Sequence, residues 1–196
     1  MEKVIVCTHR LQPLHSGHLY FWLKVREMFP DHHLVVCVLR PVLHRITTQS
    51  ETVLQEADKF YQLSQTALTD DRNPLPNWER LRLASIAINS ERLLTGHTTT
   101  ILRHRPDLSW ETSIEDLPAN RTWVFNITAE PEFNQTKLNF YRSKGENVVE
   151  VNVERYKGFE GSTIRNALRT GDKDFSFLPN ACLDYFREHI FNYFAE

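Results

Sequence analysis

Two short apolar runs near the start of the chain, Lys3 to Thr8 and Leu34 to Leu39, are continuous rather than alternating. A strand that is apolar on both faces is covered on both faces, which is the setting of a parallel sheet. Between the two runs Leu19, Trp22, Val25 and Phe29 return at helical spacing until Pro30 and Asp31 break the pattern. The first 39 residues therefore predict strand, loop, helix, strand, and two parallel strands joined in this way need a crossover helix between them.

The alternation continues. Val53, Ala57, Phe60, Ser64 and Ala67 mark one face of a helix, and Trp78, Leu81, Ala84 and Ile88 mark another, with Pro74 and Pro76 breaking the chain between them. Thr99 to Leu102 is a short strand candidate, and residues 104 to 121 show no clear period. Trp123 to Thr128 reads as a strand, Pro131 to Lys144 as a helix with proline in its first turn and Gly145 at its end, and Asn147 to Val153 as a further strand. Gly161 to Arg169 is a short helix closed by Gly171, and Leu183, Phe186, Ile190 and Phe194 form the apolar stripe of a terminal helix. Without an internal repeat or a linker, the pattern predicts a single doubly wound α/β domain over residues 1–196.

Composition narrows the function classes. At 196 residues and 41% hydrophobic, the chain can bury a core without a disulfide or metal staple. No apolar stretch approaches the ~18 residues that would cross a bilayer. The run Val4 to Cys7, preceded by acidic Glu2, does not make a secretory signal. Cys7, Cys37 and Cys182 are unclustered and odd in number, as buried thiols in a reducing compartment would be, so the expected location is the cytoplasm. A net charge of −2 gives no basic field for a polynucleotide, and neither nucleic acid nor membrane is expected as a partner. The cations are mostly arginine, whose planar fork suits a small phosphorylated ligand.

In a doubly wound sheet the ligand lies at the carboxyl ends of the strands, and the loop after the first strand reads His9-Arg10-Leu11-Gln12-Pro13-Leu14-His15-Ser16-Gly17-His18. Two imidazoles three residues apart flank a serine and a glycine where the next helix begins, so both rings can lie on one side of its N-terminus, where free amides favour an anion. In a chain with nine histidines an HxxH pair also arises by chance and decorates surfaces. Two ligands are too few for structural zinc, and no cysteine pair or nearby acidic residue completes a set.

The whole segment resembles the GRFQPxHxGH signature of nucleotidylyltransferases in the HIGH-motif superfamily, with Arg10, Gln12, Pro13, His15, Gly17 and His18 in register. Gly161-Ser162-Thr163-Ile164-Arg165 resembles that superfamily's second signature, GTxIR. Arg72, Pro74, Glu79 and Arg80 match positions of the RxPFTAGER segment of archaeal-type nicotinamide mononucleotide (NMN) adenylyltransferases. Trp110 is similar to a tryptophan that this branch carries before its fourth strand.

The resemblance implies transfer of AMP from ATP to NMN, giving NAD and pyrophosphate, with Mg2+ brought by the triphosphate. It assigns His15, His18 and Arg165 to catalysis. His9, Arg10, Leu11, Gln12, Arg72, Asn126, Ser162, Thr163 and Ile164 would bind the nucleotide, and Trp110 and Arg80 the acceptor. For Ser162 and Thr163 the plain alternative is a helix cap, for Arg80 a solvated partner of Glu79, for Trp110 a core anchor, and for Asn126 a strand end that merely turns.

The chain also departs from the pattern. His9 stands at the signature's first glycine, Arg40-Pro41-Val42 replaces the usual Gly-Ser-Ala, and residues 44 to 70 are longer than usual. These departures keep a second transferase reading open, adenylyl or cytidylyl transfer to another phosphorylated small molecule, and a third, a nucleotide-binding regulator without turnover. A class I aminoacyl-tRNA synthetase fragment shares the HxGH logic but would bring a lysine-rich second motif and a basic surplus. A homo-oligomer is compatible with all of these readings.

Overall fold

The structure, a computed structural model, describes residues 2–40, 74–103, 105, 110–128, 131–154 and 160–194. The helix expected from Val53 to Ala67, together with Arg72, Pro41 and Val42, lies outside the described residues.

Five strands, β1 (Lys3–His9), β2 (His32–Leu39), β3 (Thr98–Arg103), β4 (Arg121–Asn126) and β5 (Asn147–Val151), form one sheet in the order β3-β2-β1-β4-β5. Every pairing is parallel, with Lys3 beside His32, Val4 beside Arg121, Leu34 beside Thr98 and Thr122 beside Asn147. The chain moves outward from β1 through β2 to β3, then returns to place β4 on the other side of β1. The carboxyl ends of β1 and β4 therefore flank the point where the winding reverses, which is where doubly wound sheets hold ligands.

The helices divide between the two faces. Ile5, Cys7, Val36 and Val38 point to one face, where they pack with α1 (Ser16–Met28), α2 (Asn77–Asn89), α5 (Gly161–Arg169) and the C-terminal segment. Val4, Val6, Cys37, Trp123 and Phe125 point to the other, under α3 (Trp110–Ile114) and α4 (Pro131–Ser143). The period-two alternation of each strand thus feeds two separate cores.

Local chemistry sets the helix ends. Phe29 leaves helical geometry at φ −128°, as the residue before Pro30 is driven to do. Gly145 and Gly171 take φ of +75° and +82° to end α4 and α5, a backbone that other residues adopt at a cost. The terminal segment corrects the expectation of one regular helix: it runs through 3₁₀ turns at Asn180–Cys182, an α turn at Leu183–Tyr185, a π turn at Phe186–Ile190 and a 3₁₀ turn at Phe191–Phe194. The buried residues explain this. Phe186, Ile190 and Phe194 are four apart, a spacing that drifts off one face of an α-helix, and the wider π turn opposes that drift.

Among the described residues no helix is long and apolar enough to cross a membrane. The three cysteines are buried free thiols, and burial pushes Cys37 and Cys182 up to about 12.

Candidate active site

The loop that follows β1 is held from several directions. Leu11 sits at φ +54°, a left-handed conformation that a non-glycine residue keeps only when its surroundings fix it, and its side chain is buried in the core with Leu14. The Gln12 amide is engaged on both sides by one residue: Nε2 donates to the Leu75 carbonyl and Oε1 accepts from the Leu75 N–H, each at 3.0 Å. Arg80, 0% exposed, donates through one nitrogen to the carbonyls of Arg10 and Leu39, both at 2.7 Å, and through the other to Asn77 Oδ1. Burial and the nearby Arg10 guanidinium lower Arg80 to about 10. Glu79, the partner considered for Arg80 in the sequence, instead accepts from the Tyr185 hydroxyl at 2.6 Å. Arg80 thus ties the ends of β1 and β2 together beside the site.

This scaffold fixes the start of α1. The Ser16 N–H donates to the Phe177 carbonyl at 2.7 Å, and His15 occupies the cap position with extended geometry. The His18 N–H donates to the His15 carbonyl at 2.9 Å, while His18 Nδ1 accepts the His15 N–H at 3.3 Å. The two rings lie 3.9 Å apart between centroids, and His9 meets His18 edge-on at 5.2 Å. Burial, with the His15 and His9 rings adding to it, holds His18 well below the usual imidazole range. His9 falls to about 3, first through burial and then through the Lys137 charge. Both rings are neutral near pH 7, and a neutral His18 that accepts at Nδ1 carries its proton on Nε2.

These rings open onto a cavity of about 390 Å³ at the ends of β1 and β4. From α1 and its cap residue come His15, Gly17, His18, Tyr20 and Phe21; from α5 and the residue before it, Glu160, Gly161 and Ser162; from β4 and α4, Asn126, Phe133, Asn134 and Lys137. The first amides of α5 have no intrahelical acceptor, so its N-terminus offers an anion both donors and the positive end of a dipole. Behind that end the Arg165 guanidinium, buried, donates to the Gln12 carbonyl at 2.5 Å, which joins the two sequence signatures directly. A Cβ on Gly161 would lie 3.2 Å from Arg165 Nη1, so a larger residue here would displace the guanidinium by a few tenths of an ångström.

Of the residues singled out in the sequence, His9, His15, His18, Asn126 and Ser162 line this one cavity. Arg10, Leu11, Gln12, Arg80, Thr163, Ile164 and Arg165 are not among the residues lining it. Asn126 holds the end of β5, donating to the Val153 carbonyl at 2.9 Å and accepting the Val153 N–H at 3.2 Å. Trp110, 8% exposed, packs edge-on against Phe140 and Tyr141 at 5.7 and 5.6 Å in the core beneath α3 and α4, and it does not line the cavity. Sequence reasoning missed Asn134 and Lys137. The only available signal was their three-residue spacing on one face of α4, which does not tell which strand end that face meets.

No family profile and no curated protein matches the chain. Among solved structures it is similar, over 96% of its length with a TM-score of 0.60 and 11% identity, to a bifunctional NMN adenylyltransferase/ADP ribose pyrophosphatase from Francisella tularensis complexed with AMP and a manganese ion. The chain spans 49% of that protein's length. At this identity the likeness concerns the fold alone, and it agrees with the all-parallel sheet and its winding: the chain has a doubly wound, Rossmann-like α/β fold, shared with that structure.

Proposed function

We propose that the chain is an adenylyltransferase that moves AMP from ATP to NMN, releasing pyrophosphate and forming NAD. The observation that carries this reading is the meeting of His15 and His18 with the N-terminal amides of α5 around one cavity at the switch point of the sheet. An acceptor phosphate oxygen attacks the α-phosphorus of ATP, and the bond to pyrophosphate breaks. Such a displacement depends on positioning and on stabilising charge, and needs no protein nucleophile. His18 Nε2–H and His15 donate to the α-phosphate and its bridging oxygen as charge accumulates there. Ser162 and the α5 amides take the β- and γ-phosphates, with Thr163 in the same first turn, and Arg165, anchored on Gln12 behind that helix end, adds its positive charge to this side of the cavity.

Magnesium brought in with the triphosphate would supply charge neutralisation on the phosphates, beside Glu154 and Glu160, carboxylates that line the cavity. No group of three metal-ligating side chains gathers among the described residues. Arg10 and Arg72 complete the phosphate contacts in this reading, in a cytoplasmic enzyme.

One observation favours a second acceptor. The ring that would stack on nicotinamide, Trp110, is packed in the core, which favours an acceptor other than a nicotinamide nucleotide, another phosphorylated small molecule. The deciding experiment incubates the protein with ATP or CTP and with NMN or other phosphomonoesters, follows pyrophosphate release and identifies the product by mass. NAD formed from ATP and NMN supports the first reading, and a different dinucleotide or nucleotide conjugate supports the second. Nucleotide binding without pyrophosphate release from any pair overturns both and leaves a regulator.

A further inference from the structure

The cavity is fed from both faces of the sheet, and its two sides carry different chemistry. The histidines, α1 and α5 all belong to the face built on Ile5, Cys7 and Val36. Lys137 reaches the cavity from α4, which packs on the opposite face with Val6, Cys37 and Phe125. Its Nζ is held in place there: it donates to Thr8 Oγ1 at 2.8 Å and stands 4.7 Å from the centre of the Phe125 ring. Thr8 precedes His9 in β1, and because side chains alternate along a strand, the two point to opposite faces at the same strand end. Lys137 and the histidine pair are therefore fixed on the two sides of one strand tip, with the cavity between them.

In-line transfer at phosphorus brings the nucleophile in on the side opposite the leaving group. If the α5 amides hold the leaving pyrophosphate, the nucleophile has to enter from the face that carries Lys137. Resting on the adenylyltransferase reading above, we propose that Lys137 binds the phosphate of the acceptor and aims one of its oxygens at the α-phosphorus. The lysine charge reaches across the strand end, since it contributes to lowering His9 and opposes the upward shift of the Cys7 thiol. Thr8 acts as a positioning residue through Lys137. The substrate class that follows is a phosphomonoester, and the dephosphorylated form of the same molecule lacks the group that this side of the cavity recognises.

The test saturates the full chain with a non-hydrolysable ATP analogue. It then titrates wild type, Lys137→Met and Lys137→Arg with NMN, nicotinamide riboside and inorganic phosphate, beside a thermal melt of each protein. Wild type should prefer NMN to the riboside. Lys137→Met should bind NMN ~10-fold or more weakly, the scale of a charge-assisted hydrogen bond, with analogue affinity unchanged, and Lys137→Arg should recover part of the loss. A Lys137→Met protein that melts normally and keeps its preference for NMN overturns the inference. So does an equal loss for the analogue, which would put Lys137 on the nucleotide.

If wild type ignores NMN but binds inorganic phosphate, and Lys137→Met loses that binding, the inference stands and the NMN reading falls. Wild type that binds neither overturns the inference. Thr8→Val keeps the charge and removes its tether, so it provides the readout should Lys137→Met fail to fold: NMN affinity falls several-fold at constant analogue affinity, and an unchanged NMN affinity counts against the inference.

Discussion

His18 Nδ1 accepts the backbone N–H of His15 at 3.3 Å, so the same contact that caps α1 also decides which nitrogen of His18 carries the proton. The ring presents a neutral Nε2–H donor at the helix end. His18→Ala removes that donor and should lower turnover ~100- to 1,000-fold, as loss of one preorganised donor does in other enzymes, while ATP affinity changes much less. His18→Asn, which keeps a donor and a cap acceptor, should retain more activity than alanine. Steady-state kinetics with ATP binding measured separately check this, and near-normal turnover in His18→Ala would remove the histidine from the mechanism.

His9 carries a pH signature. Its imidazole is lowered from 6.5 to about 3, so between these values the unfolded chain binds a proton that the folded chain refuses. The stabilisation is fully present above pH 6.5 and is lost progressively as pH falls towards 3. His18, lowered in the same direction, adds to this slope. His9→Gln should flatten the fall in stability on acidification by about one proton, read as the pH dependence of the urea midpoint. An unchanged slope would mean that His9 titrates normally.

Arg80 should matter more for folding than for binding. Replacing it by methionine keeps its length but strands the carbonyls of Arg10 and Leu39 and the Asn77 side chain, at a cost on the order of 1–3 kcal/mol for each acceptor left buried. Denaturant unfolding should show a loss of several kcal/mol on that scale. A stable variant with weakened acceptor binding alone would instead give Arg80 a ligand.

Trp110→Ala should behave as a core truncation. The ring packs on Phe140 and Tyr141, and removing a buried tryptophan costs ~3–5 kcal/mol, so the melting temperature should drop and both substrates should lose affinity together. A selective loss of NMN affinity at an unchanged melting temperature would restore its role as a stacking platform.

The strands and long helices were legible because hydrophobic periodicity is a local property: β1, α1, β2 and α2 follow the pattern within a residue or two. Helix α3, five residues long, is too short to express a period, so the stretch from 104 to 121 gave no signal. The histidine loop and the α5 signature were visible as motifs, but the bond from Arg165 to Gln12 that joins them spans 153 positions and has no sequence trace. Arg80 illustrates the same limit. Beside Glu79 on a helix it looks like half of a surface pair, whereas it is fully buried and two of its three hydrogen-bond partners lie 70 and 41 residues away. Lys137 is ordinary in sequence, and only the crossover topology brings α4 to the tip of β1.

The clamp from Phe177 onto Ser16 bears on the order in which the chain is synthesised. A nascent chain released as far as Val153 already contains all five strands of the sheet and both histidines of the helix cap, but it lacks the α5 amides, Arg165 and the carbonyl that seats the start of α1. Because translation delivers these parts after all five strands, the cavity is completed after the sheet that supports it, and a ribosome-bound intermediate that ends at Val153 has no finished cavity in which to hold a ligand.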